Sequence, residues 1–81
     1  MNVKKRYVKV MTMTEEDGAV KPLLIYWDED RRYPVDAILD VRPAASRKAG
    51  GQGLRYLIRI GKTETEIYYE DPAWFVIPIS E

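Results

Sequence analysis

The side chains best suited to chemistry are basic, and they cluster between residues 41 and 63, where the chain carries six Arg or Lys and no acid. Arg55 and Arg59 lie four residues apart, so on a strand they project from one face roughly 13 Å apart. Small barrels use such arginines, with tyrosines nearby, to grip a nucleic-acid backbone and stack its bases. The pattern predicts a non-enzymatic binding module whose candidate nucleic-acid-binding residues are Arg42, Arg47, Lys48, Arg55, Arg59, Tyr56, Tyr68 and Tyr69.

An intramolecular use of the same arginines is the favoured alternative. A turn at Gly61-Lys62 folds the next segment back, which brings Glu64 and Glu66 close to Arg55 and Arg59. Cross-strand ion pairs of this kind neutralise part of the positive charge within the chain. The charge expected to face outward then lies on the flanking loop, at Arg42, Arg47 and Lys48.

The glycine-rich stretch Gly50-Gly51-Gln52-Gly53 resembles a phosphate-binding loop only superficially. Phosphate loops work because their backbone N–H groups converge at the N-terminus of a helix. A strand pattern follows here, so neither a P-loop nor a dinucleotide fingerprint is predicted. We expect the glycines to supply unusual backbone angles in a connection.

Catalytic residues are scarce. The chain has no cysteine and no histidine, which removes thiolate chemistry, disulfides, the commonest general base and the commonest neutral metal ligand. Ser46 has only Lys48 nearby as an activating base. The segment Asp28-Glu29-Asp30 lacks the glycine and the terminal glutamate of a calcium loop. We expect no enzymatic activity, no cofactor and no metal.

The totals predict one small domain over residues 1–81. Net charge is zero but segregated, and the first ten residues carry four basic groups and no acid. No apolar run approaches the length of about 20 residues that a membrane span requires. The first residues have no apolar segment behind their charges, as a signal peptide would. We expect a cytoplasmic protein with no membrane partner.

Short strands separated by tight turns dominate the pattern. The expected strands cover about 3–13, 19–27, 32–41, 53–61, 63–69 and 74–77. Asp17-Gly18 is a strong hairpin turn. Pro22 predicts an edge or a bulge in the second strand, and a bulge near Asp36-Ala37 explains a change of face in the third. A loop over 43–53, with one helical turn at 43–48, is preferred to a helix because Pro43 opposes the latter.

This succession predicts an all-β fold, a small SH3-like, partly open barrel or roll of five to six antiparallel strands. In so small a domain most aromatic rings are needed inside, so we expect Trp27, Tyr56 and Phe75 in the core. Tyr68 and Tyr69 are adjacent on a strand, so one of them must face outward. The alternative function is a protein-interaction module that uses the edge strand at about 19–27 or an aromatic patch, with a homodimer as one form.

Several segments between residues 22 and 77 resemble those of a group of short, uncharacterised bacterial all-β proteins. A looser similarity, in the order of the tryptophan, tyrosine and aspartate positions, is to small all-β domains that accompany translesion DNA polymerases in some bacteria. That similarity implies a DNA-repair setting and a binding role. The matching segments are Ile25-Tyr26-Trp27-Asp28, Arg32-Tyr33-Pro34-Val35, Ile38-Leu39-Asp40-Val41-Arg42, Ala44-Ala45-Ser46, Gly50-Gly51-Gln52-Gly53-Leu54-Arg55-Tyr56, Tyr69-Glu70-Asp71 and Trp74-Phe75-Val76.

Overall fold

A computed structural model describes residues 5–45 and 52–77, and the chain in these two ranges is all-β, with no helix. Seven strands follow one another with short connections between most of them. They are β1 (Arg6–Thr14), β2 (Val20–Tyr26), β3 (Arg32–Pro34), β4 (Ala37–Ala45), β5 (Gln52–Ile60), β6 (Thr63–Glu70) and β7 (Ala73–Val76).

All seven strands belong to one antiparallel sheet that curls into a half-barrel, in the order β3-β2-β1-β7-β6-β5-β4. The all-β prediction is confirmed. The strand count is seven rather than five or six, because the strand expected over 32–41 divides at residues 35–36 into β3 and β4, which lie at opposite edges. Val35 donates a backbone hydrogen bond to Leu23 (2.9 Å), and Asp36 donates one to Arg59 (2.8 Å). These two residues therefore connect both edges at one end of the half-barrel.

The segment predicted as a loop with a helical turn from residue 43 is strand as far as Ala45, and β5 begins at Gln52. Pro43 fits because β4 pairs with β5 on one side only, and a proline without an N–H is tolerated on an edge strand. The expected bulge lies slightly later than predicted, since the register shifts between Ile38 and Asp40. Residues 46–51, with Ser46, Arg47, Lys48 and the first half of the glycine-rich stretch, lie outside the described residues.

The first hairpin forms as expected. Gly18 has a positive φ of 93°, and Asp17 accepts the Ala19 N–H at 2.9 Å. The irregularity predicted at Pro22 is a bulge, because the register between β1 and β2 shifts where Thr12 meets Pro22. β3 pairs only with residues 24–26, so the Pro22 end of β2 is an open edge as predicted, whereas the edge interpretation is wrong for residues 24–26, which lie between β1 and β3.

The inner face of the curled sheet holds the core. The alternation along β5 places Tyr56 and Ile58 inward, where they are 2% and 0% exposed. Ile67 lies opposite Tyr56 on β6 and is equally buried. The buried cluster comprises Ile25, Tyr56, Ile58, Ile67 and Trp74. Such a small core suits a chain of 81 residues, which buries only about 60–65% of the surface that its unfolded form exposes.

Two of the three aromatic residues expected in the core, Tyr56 and Phe75, are buried, at 2% and 6% exposure. Trp74 faces inward, so its neighbour Phe75 faces outward and is buried there between the rings of Tyr7 and Tyr68. Trp27 is only half-buried, and the guanidinium of Arg6 lies 3.7 Å from the centre of its ring. Trp27 is therefore the one of the three for which the core prediction is wrong.

Candidate nucleic-acid interface

The predicted pairing of the β5 arginines with glutamates is confirmed for Arg55. Its Nε lies 3.5 Å from Oε2 of Glu66 on the neighbouring strand β6. Arg59 lies directly opposite Glu64 in the register, but within the described ranges its side chain forms no ion pair shorter than 4 Å. Opposite charges at facing strand positions still attract, so Glu64 and Glu66 interrupt the basic surface of β5.

The sequence predicts Arg42 on a loop as an outward-facing charge; the loop position is wrong, whereas the side chain faces outward as predicted and is 66% exposed. Arg42 lies within β4, and its Nε is 2.6 Å from Oδ2 of Asp40 on the same strand. Arg42 also lies opposite Arg55 in the register, so Asp40 offsets a like-charge contact. The two remaining predicted cations, Arg47 and Lys48, lie outside the described residues.

Two of the three tyrosines predicted to stack on bases face inward. Tyr56 is 2% exposed, its hydroxyl donates a hydrogen bond to the carbonyl of Val20, and burial raises its pKa. Tyr69 packs on Trp74 at 4.6 Å between ring centres. Burial also raises the pKa of Tyr69, helped by the hydrogen bond that its hydroxyl donates to Asp71. The Tyr56 ring is therefore closed to a base, and the half-buried Tyr69 ring has Trp74 packed against it.

Tyr68 is the outward-facing member of the adjacent pair, as predicted for one of the two. Its ring stacks on Phe75, with 5.1 Å between centres and 5° between planes. Its hydroxyl donates a 3.3 Å hydrogen bond to Glu66, and burial followed by that carboxylate raises its pKa. Tyr68 is therefore packed and bonded within the chain, which leaves less of its ring for a ligand.

A different set of residues combines exposed cations with aromatic rings. We call it the β1–β3 outer surface and define it as Lys5, Tyr7, Lys9, Tyr26 and Arg32. Alternation along β1 sends Lys5, Tyr7 and Lys9 to the same face. The register then places Lys9 opposite Tyr26, and Tyr26 opposite Arg32, so three side chains form a row across three strands.

The Tyr26 ring lies between two cations in this row. The Lys9 Nζ is 5.7 Å from the ring centre, and the Arg32 guanidinium carbon is 5.6 Å from it. Both distances suit a cation–π attraction, which holds each charge near the ring. Neither cation forms an ion pair with any residue in 5–45 or 52–77. Their charge is therefore open to a ligand.

The neighbouring row of the same surface contains an exposed ring. Tyr7 is 50% exposed, although one side of it contacts Phe75 with 5.6 Å between ring centres. The Lys5 Nζ lies 4.6 Å from the centre of the Phe75 ring and 3.8 Å from Oε2 of Glu70, so its charge is partly neutralised within the chain. The structure thus places one accessible tyrosine between two lysines along β1.

An acidic turn borders this surface. A hollow of about 500 Å³ is lined by Lys9, Tyr26 and Arg32 and also by Asp28 and Glu29. The pKa of Asp28 is lowered, chiefly because its carboxylate accepts the backbone N–H of Asp30, so the group stays charged. Its charge is offset by Arg31, whose Nε lies 3.1 Å from Oδ2 of Asp28, so Asp28 takes little from the positive charge of Lys9 and Arg32.

The signal for the β1–β3 outer surface was present in the sequence but incomplete. Basic residues at positions 5 and 9 flank Tyr7 at a spacing of two, which is the strand period. Arg32 and Tyr26 could not be added without the register, because the bulge between β1 and β2 shifts which residues face each other. The 42–62 segment is more basic in the sequence only because the carboxylates that lie near its arginines in the fold, Asp40, Glu64 and Glu66, are just outside it.

Other kinds of site find little support in the described ranges. No group of three acidic side chains there is arranged to hold a metal ion. The same ranges contain no helix that is long and apolar enough to cross a membrane. Comparisons with protein-family models, curated proteins and solved structures find no match. The functional argument therefore depends on the geometry of the chain itself.

Proposed function

We propose that the protein binds single-stranded nucleic acid on the β1–β3 outer surface. The observation that carries the proposal is the row Lys9–Tyr26–Arg32, whose two cations have no ion-pair partner in the described ranges, next to the half-exposed ring of Tyr7. Cations that follow the phosphates, together with rings on which bases stack, are how small β domains hold single strands.

The division of labour follows from what each side chain offers. Lys9 and Arg32 supply charge to the phosphates, and the attraction is independent of sequence. Tyr7 supplies a ring face to a base, which is worth about 1–3 kcal/mol for each stacked base. A duplex hides its base faces within the stack, so the ring contributes only with a single strand. We therefore expect a preference for single strands with little sequence selectivity.

The 42–62 segment has a secondary role in this proposal. Arg42 and Arg55 already contact carboxylates, and a phosphate would have to compete with those contacts. Exposed ion pairs are weak, so a phosphate can displace them but gains little by doing so. Arg59 and Lys62 are the cations of this segment that form no ion pair within the described ranges. The DNA-repair setting implied by the resemblance stays a prediction.

The test is the binding of a fluorescein-labelled oligothymidine to the full chain, followed by fluorescence anisotropy at increasing salt. We expect the logarithm of affinity to fall linearly with the logarithm of salt, with a slope of about 0.7 for each phosphate contacted. A duplex of the same length should bind more weakly. No detectable binding to the single strand at low salt would overturn the proposal.

A further inference from the structure

We infer that two copies of this chain associate by pairing their β4 strands antiparallel about a two-fold axis at Val41. Strand β4 ends the sheet, so one of its sides has no strand partner. It is one of the three longest strands, with nine residues, and β3, at the other edge, has only three. Leu39 and Val41 are 42% and 45% exposed there. An unpaired edge with exposed apolar residues is a template for another strand.

The charges along this edge select a second copy as the partner. Directly opposite residues in an antiparallel pair share a face, so a symmetric pairing must be centred on a residue. A pairing centred on Asp40 places that aspartate opposite itself, and one centred on Arg42 does the same for the arginine. A pairing centred on Val41 places Asp40 of each copy opposite Arg42 of the other. Of these three registers, the one centred on Val41 places oppositely charged residues opposite each other, and it does so at two positions.

An apolar groove lies beside the same edge, and a second copy paired with β4 would cover part of it. The groove has a volume of about 700 Å³ and separates β4 from the first half of β2. In the Val41-centred register, the Val41 side chain of each copy lies on the groove side of the sheet. The partner's residues would therefore remove apolar surface from water. The lining includes Val20, Pro22, Leu23, Ile38, Val41 and Leu54.

The paired segment is short. The register shift at Leu39 bounds it on one side, and Pro43, which has no N–H to donate, bounds it on the other. Few backbone hydrogen bonds can then form between the copies, so we expect a dimer that dissociates on dilution. A proline and charged residues on an edge strand also serve to prevent pairing. The two roles make opposite predictions about the oligomeric state.

A charge-swap experiment distinguishes an edge strand that pairs with a second copy from one whose charges and proline prevent pairing. Asp40→Arg makes both positions basic and Arg42→Asp makes both acidic, so each variant alone should dimerise at least about tenfold more weakly than the natural chain. An equimolar mixture of the two should recover the dimer, because every facing pair is then attractive. Both variants break the intrachain Asp40–Arg42 ion pair, so that change cannot explain recovery on mixing.

Sedimentation velocity over a range of concentrations, without nucleic acid, measures these states. Glu16→Arg and Lys62→Asp change net charge by the same amounts at exposed turns and should leave the dimer intact. A natural chain that sediments as a monomer at all accessible concentrations overturns the inference. The inference is also overturned if the mixture of the two charge-swap variants associates no more than either variant alone. Neither result bears on the β1–β3 outer surface, which lies on other strands.

A cysteine placed at position 41 gives a second measurement if the charged variants fold poorly. The chain has no cysteine of its own. Facing residues of antiparallel strands have Cα atoms about 4.5–5.5 Å apart, within disulfide range. Mild oxidation should link Val41→Cys into dimers on a non-reducing gel, whereas the equally exposed Met11→Cys should stay monomeric. Equal linking of both variants would contradict the register.

Discussion

At the residue scale, Tyr56 connects two parts of the half-barrel that the sheet ladder leaves apart. Its ring lies in the core on β5, 5.1 Å from that of Trp74, while its hydroxyl donates to the carbonyl of Val20 at the start of β2. That carbonyl lies beside the groove, on the stretch of β2 that β3 does not cover. The hydroxyl thus holds the open side of the sheet together.

Tyr56→Phe should therefore destabilise the fold by about 1 kcal/mol, since it removes one hydrogen bond and leaves a carbonyl acceptor without it. The free energy of unfolding in urea measures the loss. Tyr7→Phe is the matched control, because the Tyr7 hydroxyl makes no hydrogen bond to the described residues and its side chain is half exposed. Equal effects of the two substitutions would show that the Tyr56 hydroxyl does not brace the sheet.

The choice of which adjacent tyrosine faces inward, Tyr68 or Tyr69, also belongs to the residue scale. Alternation requires Tyr68 and Tyr69 to face opposite ways, and the structure agrees. Choosing between them needs the pairing of β6 with β7, which places Tyr69 opposite the buried Trp74 and Tyr68 opposite Phe75. That register comes from the whole sheet, so the local pattern could not supply it.

At the element scale, the β5–β6 hairpin depends on one glycine and one aspartate. Gly61 has a φ of +59°, and its N–H donates to Oδ2 of Asp36 at 2.5 Å. The backbone N–H of Asp36 in turn donates to the carbonyl of Arg59. The segment between β3 and β4 is thus tied to the hairpin turn, which helps to fix where the sheet curls.

Gly61→Ala should cost about 1–2 kcal/mol, because an L-residue is strained in the left-handed region. No atom lies within 4 Å of an added Cβ, so the cost is conformational and not a steric clash. Gly61→Asn should cost less, since asparagine tolerates this region better. Thermal unfolding of both variants measures the difference. An asparagine variant less stable than the alanine variant would contradict this explanation.

Most elements could be predicted from periodicity and turn residues, but their arrangement could not. The alternation of β5 and the turn at Asp17-Gly18 depend on neighbouring residues, and both are present as predicted. The division of 32–41 into strands at opposite edges depends on closure of the sheet, to which distant Leu23 and Arg59 contribute hydrogen bonds. Long-range contacts of this kind leave little trace in a local pattern.

At the scale of the whole molecule, a net charge of zero conceals two surfaces of different character. On β4–β6, Arg42 and Arg55 pair with carboxylates and Arg59 lies opposite Glu64 in the register, so we call that surface balanced. On β1–β3 two cations flank a tyrosine without an ion-pair partner in the described ranges. The blocks of charge in the sequence predict the first surface as the interface, whereas we propose the second.

The most direct test of nucleic-acid binding on the β1–β3 outer surface compares two matched pairs of neutralising substitutions. Lys9→Gln with Arg32→Gln removes charge from that surface, and Arg42→Gln with Arg55→Gln removes the same charge from the balanced surface. Anisotropy titrations with labelled oligothymidine at several salt concentrations give a slope for each protein. We predict that the first pair lowers the slope by about 0.7 for each phosphate that is no longer neutralised, while the second pair leaves it near the natural value. Equal slopes for the two variants, or a larger decrease from the second, would contradict this assignment.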